Sequence, residues 1–206
     1  MDYSMNFGET FVSLPKYMLE KDNIEAVVDI LVDGGIICYP TDTVWGIGCD
    51  ATNISAIKKV NKLKGRPNGK GYVLLVDSIQ MLKNYVDELH PRMETLLEYH
   101  KRPLTLIYPK AKNLPKEVCG EDGSVAIRLA KCTFCQTLIS ALGTPIISTS
   151  ANLSGVPFPK TFGEISSEII EKVDYIAKER RWDKTNGRPS TIAYVDKNGM
   201  LEFIRE

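Results

Sequence analysis

The stretch NIEAVVDILVDGGIICYPTDT, Asn23–Thr43, decides the architecture. Its first half spaces apolar residues at the helical period, and Gly34-Gly35 is a natural helix stop. Ile36–Tyr39 is then a short apolar run closed by Pro40, which reads as a buried strand. Proline cannot continue a central strand, so the chain turns there. Thr41, Asp42 and Thr43 present two hydroxyls and a carboxylate at the strand's end.

The same alternation runs outward from this unit. Helices are predicted over 54–63, capped by Thr52 or Asn53, over 78–84, from Pro91 to about Tyr99, over 133–142 with a stop at Gly143, and over 162–172. Strands are predicted at 72–76, 104–108, 124–129, 146–148, 174–177, 190–195 and 200–204. Strands alternating with helices predict an α/β or mixed α+β layered domain, not a sandwich or a bundle. No repeat, low-complexity segment or linker is evident, so residues 1–206 read as a single domain. The polar run ERRWDKTNGRP, 179–189, is the longest loop and is expected to move.

Composition narrows the class. Two hundred and six residues, 43% hydrophobic and 25% charged, suit a soluble globular protein with a full core. Lys plus Arg equals Asp plus Glu, 26 each, which weighs against a protein that coats nucleic acid. No apolar run reaches the ~20 residues of a membrane span, and residues 1–23 lack the pattern of a secretory signal. The five cysteines read as reduced thiols, which places the protein in the cytoplasm. Cys132 and Cys135 form one C-x-x-C with no second pair to complete a zinc site, and Cys135 shares a helical face with Leu138 and Ile139, so a packing role is expected. No metal ligands are assigned. His90 and His100 lie outside every motif and are expected at the surface or in packing.

Three segments carry chemistry. In YPTDTVWGIGCDA, Tyr39–Ala51, Gly46 and Gly48 allow close backbone approach to a ligand beside the Thr41–Thr43 turn. A tight turn that satisfies its own backbone is the alternative. KKVNKLKGRPNGK, Lys58–Lys70, holds six Lys or Arg residues. Its helical part can be a solvated face, but Gly65 and Pro67 end the helix, so Lys64 and Arg66 project from a turn. Arg offers a planar fork for phosphate or carboxylate oxygens, while Lys is a point charge. IISTSANLSG, Ile146–Gly155, crowds Ser148, Thr149, Ser150, Asn152 and Ser154 into seven positions, more polar groups than helix capping requires. Arg128 stands in an apolar strand, where an isolated charge is expensive to bury, so it should face a pocket or carry a partner. Ser190 and Thr191 begin a strand after a polar loop. None of these segments holds a nucleophile beside a base, so the chemistry is one of positioning and charge neutralisation.

Taken together, YPTDTVWGIG, Lys64 with the following Gly65-Arg66-Pro67, STSANLSG and PSTI resemble the YrdC-like family of threonylcarbamoyl-AMP synthases over roughly residues 22–205, in its short single-domain form. The K-x-R and S-x-N pair falls on Lys64, Arg66, Ser150 and Asn152. The resemblance implies a twisted mixed open sheet flanked by helices with a concave basic cavity. It implies a reaction joining L-threonine, bicarbonate or CO2, and ATP to give L-threonylcarbamoyladenylate and pyrophosphate. A separate transferase complex then carries the threonylcarbamoyl group to an adenosine of tRNA. By position, Lys64 and Arg66 are the catalytic cations. Lys64, Arg66, Lys70, Ser150, Asn152 and Arg205 fall on the ATP side, and Thr41, Arg128, Ser148 and Ser190 on the threonine side. Mg2+ is expected to arrive with ATP and ride on its phosphates and water. The chain departs from many members at Lys70-Gly71-Tyr72, at Arg102 where a Gly is usual, and in lacking an Arg-Pro-Gly ending. Three other readings compete: a module gripping double-stranded RNA or tRNA through phosphates, a YciO-like relative, and a carbamoyl-adenylate module of the hydrogenase-maturation kind. The complete Ser150-Ala151-Asn152 favours the synthase over the YciO-like relative.

Overall fold

The computed structural model describes residues 21–66, 70–184, 187–196 and 200–205. The N-terminal reading over residues 1–20, Pro67, and residues 185–186 of the polar loop fall outside the described residues. The elements in chain order are α1 (Ile24–Val32), β1 (Ile37–Tyr39), β2 (Gly46–Gly48), α2 (Ile54–Lys64), β3 (Val73–Val76), α3 (Ile79–Lys83), α4 (Pro91–Tyr99), β4 (Leu104–Tyr108), β5 (Val125–Leu129), α5 (Thr133–Leu142), β6 (Ile146–Ser150), α6 (Ser167–Ile170), β7 (Tyr175–Ile176), β8 (Thr191–Val195) and β9 (Leu201–Arg205). Asn23, Asn53 and Ser78 cap α1, α2 and α3 by accepting amide hydrogen bonds at the helix starts, as their short polar side chains favour.

The nine strands form one mixed sheet in the order β7-β1-β2-β6-β3-β5-β4-β8-β9. Strand side chains alternate between faces, and the core divides accordingly. Ile37, Tyr39, Leu75 and Ile146 pack with Val27 and Leu31 of α1 and Phe134, Leu138 and Ile139 of α5. Their neighbours Cys38, Leu74, Val76 and Ile147 face the opposite way, onto Ile57 and Val60 of α2, Leu82 of α3, and Met93 and Leu97 of α4. Cys135 lies in the first of these clusters.

Two expectations are corrected. The segment expected as a helix over 162–172 is a short 3-10 turn at Phe162–Glu164 followed by the one-turn α6. Ile165 and Ser166 are extended, and Ser166 starts α6 afresh by accepting from the Glu168 amide. The glycines read as a ligand approach form β2, antiparallel to both β1 and β6. A Cβ on Gly48 would lie 2.0 Å from the Ile147 carbonyl oxygen and 2.9 Å from the Tyr39 ring, so that glycine serves strand packing. β6 also runs two residues past Ser148, because Thr149 and Ser150 pair with Ile47 and Gly46.

Candidate active site

Strand register alone lines up the candidate site. Directly paired residues point to the same face of a sheet. Gly46 pairs with Ser150, two residues along β6 from Ser148, and Ser148 pairs with Val73. Two residues on from Val73, Leu75 pairs with Arg128, and Arg128 pairs with Thr105. Thr105 pairs with Ile192, and Ile192 with Arg205. The row from Gly46 to Arg205 therefore shares one face. α1 and α5 cover that face around Leu75 and Ile146 and leave the rest open.

The opening is a cleft of about 230 Å³ lined by Arg66, Arg128, Ser148, Ser150, Ser190 and Arg205, with Thr43, Gly46 and Tyr72 among their neighbours. Six of the ten predicted site residues thus meet in one hollow. Three of them are arginines, and among the described residues no acidic side chain lines it. Thr41, Lys64, Lys70 and Asn152 are not among the lining residues.

Arg128 is 4% exposed. Its Nη2 lies 3.2 Å from Asp42 Oδ1, yet the two are not aligned for a hydrogen bond. Nε and Nη2 of the arginine and both Asp42 oxygens lack a partner among the described residues. Unpaired buried donors of this kind are costly unless a ligand completes them. Beside them, Thr105 Oγ1 and Ser190 Oγ are 2.8 Å apart, and Arg205 Nε donates to the Ser190 carbonyl at 2.9 Å. Burial, then the Arg128 charge, lowers the Arg205 guanidinium below its ordinary range.

Arg66 enters from the end of α2. Gly65 takes the left-handed conformation (φ 57°), and the Arg66 amide donates back to the Asn61 carbonyl at 3.1 Å, which closes the helix and aims the arginine at the cleft. Its guanidinium lies 4.4 Å from the centre of the Tyr72 ring and donates to the Gly71 carbonyl at 2.6 Å. Tyr72 in turn donates to Asn61 Oδ1 at 2.6 Å. The Lys70-Gly71-Tyr72 departure thus forms the seat of Arg66. The Lys70 side chain is exposed, and only its carbonyl meets Arg66.

Lys64 has a different placement. It follows Ile57 and Val60 on the buried face of α2 and is 4% exposed. Its ammonium donates to the Ser150 carbonyl at 2.5 Å and the Asn152 carbonyl at 2.8 Å, and reaches Asn152 Oδ1 at 3.4 Å. The Asn152 amide group donates onward to the carbonyls of Leu153 and Val156. The lysine therefore pegs the S-x-N loop to the helix. Burial, then the Arg66 charge, pulls its pKa down to about 8.

Thr41 spends its hydroxyl on its own turn. It donates to the Val44 carbonyl at 2.8 Å and accepts from the Thr43 amide at 3.0 Å, so the self-satisfied turn is what forms, and Thr43 faces the cleft. The polar loop packs onto this turn: Arg180 Nη1 donates to the Thr41 carbonyl at 2.7 Å, and a Cβ on Gly187 would lie 1.7 Å from the Thr43 carbonyl oxygen. Tyr39 anchors β6 from below by donating to the Ile147 carbonyl at 2.9 Å. His90 caps α4 and His100 meets the Arg102 carbonyl, both away from the cleft.

The sequence reading assigns Tyr72 and Thr105 no role at the site and names Asp42 only as a carboxylate at a strand's end. Thr105 carried a signal, a lone hydroxyl in the apolar run LTLIY. Asp42 carried one too, as the carboxylate nearest in kind to the stranded charge of Arg128. Tyr72 carried none.

Known proteins are similar to this chain in sequence and fold. The family model described as Telomere recombination, for Sua5, YciO and YrdC, matches residues 29–206. A Vibrio parahaemolyticus protein named threonylcarbamoyl-AMP synthase is 38% identical over 185 residues, covering 87% of this chain and 98% of the relative. The crystal structure of P. abyssi Sua5 complexed with L-threonine matches with a TM-score of 0.73 and 26% identity over 83% of this chain. This chain spans 50% of that protein's length. Escherichia coli YciO shares the fold, with a TM-score of 0.76 at 24% identity over 94% of this chain and 91% of the other. Among the described residues, no helix is long and apolar enough to cross a membrane.

Proposed function

The chain belongs to the Sua5/YciO/YrdC family, and on that premise we propose that it is a threonylcarbamoyl-AMP synthase, joining L-threonine, bicarbonate or CO2, and ATP into L-threonylcarbamoyladenylate and pyrophosphate. One observation carries the reading: buried Arg128, with two unpaired donors, shares a cleft with Arg66 and Arg205. A fork with unmade hydrogen bonds beside two further cations suits an amino-acid carboxylate next to a polyphosphate.

The amine of threonine adds CO2 to give a carbamate. A carbamate oxygen attacks the α-phosphorus of ATP, and pyrophosphate leaves with the electrons of the broken P–O bond. No enzyme nucleophile is needed. The protein must align two anions and offset their repulsion, which preorganised cations do in a site partly shielded from water. Arg128 holds the threonine carboxylate, with Ser190 fixed beside it by Thr105 and Arg205. Ser148 and Ser150 line the strand between the two substrates. Arg66, set on Tyr72, takes the phosphates. Lys64 and Asn152 act by shaping the loop from which Ser150 faces the cleft.

Among the described residues no three His, Cys, Asp or Glu side chains converge on a metal position. We therefore assign magnesium to the substrate, as MgATP. The product is a mixed anhydride, suited to a separate transferase complex that acts on tRNA. The test is pyrophosphate release with ATP, threonine and bicarbonate, each omitted in turn. Release that needs all three supports the synthase, and release indifferent to threonine overturns it.

A further inference from the structure

The C-x-x-C pair lies at the first turn of α5, behind the turn that leads to Asp42. Cys132 occupies the position before the first helical residue and is half-buried, while Cys135, three residues on, is fully buried. Residues so spaced at a helix start are neighbours on one face. The two thiols perturb one another's acidity, and the charges of Asp42 and Arg128 act on both sulfurs. Cys135 Sγ donates to the Pro40 carbonyl at 3.5 Å, immediately before Thr41 and Asp42. The five cysteines also differ in acidity. Burial pushes Cys38 and Cys49 up to about 12 and raises Cys119. The neighbouring Cys132 thiol, then burial, raises Cys135 well above its usual range. Cys132 is held below the usual thiol range, first by the Cys135 thiol and also by its amide. A half-exposed thiol with this character, next to a second thiol, is the arrangement that oxidises selectively.

We propose that Cys132 and Cys135 are a modification site that takes a hydroperoxide and closes to an intramolecular disulfide, and that closing it weakens the threonine side of the cleft. The Cys132 thiolate attacks one peroxide oxygen. The O–O bond breaks, its electron pair leaves with the other oxygen, and that oxygen takes a proton to become water or an alcohol. Cys132 is then a sulfenic acid. The Cys135 sulfur attacks the Cys132 sulfur, the S–S bond forms, and the S–O bond breaks. Hydroxide departs and takes the Cys135 proton as water. Two thiols are oxidised, and one hydroperoxide is reduced by two electrons. The Pro40 carbonyl thereby loses its S–H donor, and the turn carrying Asp42, the partner of Arg128, loses an anchor. The chemical half stands on the thiols alone, and the effect on the cleft rests on the synthase reading.

The experiment is titration of the full chain with hydrogen peroxide, followed by differential alkylation, peptide mapping and synthase kinetics on the same samples. The expected result is a Cys132–Cys135 disulfide formed before Cys119 loses alkylation, a several-fold rise in threonine KM with a smaller change in ATP KM, and reversal by dithiothreitol. Cys132→Ser is expected to keep the reduced protein's activity and to ignore peroxide, and Cys132→Ala gives a second check on folding. Sulfinic acid at Cys132 with Cys135 still free would overturn the pair. A mapped disulfide with unchanged threonine KM would overturn the link to the cleft. No threonine-dependent turnover in the reduced protein would refute the synthase reading and the cleft effect, while the mapping still decides the dithiol.

Discussion

Asp42 Oδ1 lies 3.2 Å from Arg128 Nη2 at the back of the cleft, and neither side chain completes the hydrogen bonds its burial demands. The pair leaves part of the guanidinium for an incoming carboxylate. Arg128→Gln is therefore expected to raise threonine KM by roughly 10–100-fold, the worth of hydrogen bonds to a charged group. It should also lower stability, because Asp42 is left buried without its counter-charge. Adding Asp42→Asn should restore much of the melting temperature and none of the threonine affinity. Recovery of both together would show that the arginine acts only through folding.

Arg66 is half-buried and reached through a turn, so its loss should be tolerated by the fold. Arg66→Ala is expected to reduce kcat/KM for pyrophosphate release roughly hundredfold, with the melting temperature nearly unchanged. Tyr72→Leu removes the ring beneath it and should cost a few-fold to tenfold, mostly in ATP KM. Near-normal turnover in Arg66→Ala would remove the arginine from the phosphate site.

The lysine peg titrates in an unusual range. The Lys64 pKa is about 8 in the folded protein against an ordinary 10.5, so between these values the unfolded state binds more protons. The contribution of Lys64 to stability therefore rises as pH climbs from about 8 to 10.5, and is flat outside that window. Lys64→Met should remove this rising component from melting curves taken across the window. It should also lose most synthase activity at neutral pH, because the Ser150 and Asn152 carbonyls lose their donor. Parallel wild-type and variant profiles would place the titration elsewhere.

The two glycines of β2 should respond differently to a methyl group. Gly48→Ala meets the Ile147 carbonyl oxygen at 2.0 Å, and strands paired on both sides cannot yield easily. A loss of about 3 kcal/mol is expected, or roughly 10 °C in melting temperature. Gly46→Ala meets nothing closer than 3.3 Å and faces the cleft, so it should fold and act on substrate KM. Equal melting temperatures for the two variants would contradict the packing.

Much of this was legible in the chain. α4, β4 and α5 fall at the predicted bounds because Pro91, Gly143 and clean apolar runs mark them. That Arg66, Arg128, Ser148, Ser150, Ser190 and Arg205 share one site was implied by the family resemblance, and the cleft brings the six together. β2 was missed because Gly-Ile-Gly offers one side chain to read. The helix expected over 162–172 is broken where Gly163 and the capping habit of Ser166 interrupt it. Lys64 was read outward from its turn, although its spacing from Ile57 and Val60 already put it inward. The acceptors that draw it in are backbone carbonyls, which no side-chain pattern records.

The row of paired residues from Gly46 to Arg205 means that the floor of the cleft is the sheet itself. Slippage by one position in any of these strands would invert that strand's contribution and silence the site while leaving the hydrogen-bond ladder intact. Grafting single loops onto another scaffold cannot transplant such an activity, since the information lies in how seven strands are aligned. It also gives a misaligned, well-ordered protein a simple diagnosis: full secondary structure, and no affinity for substrate.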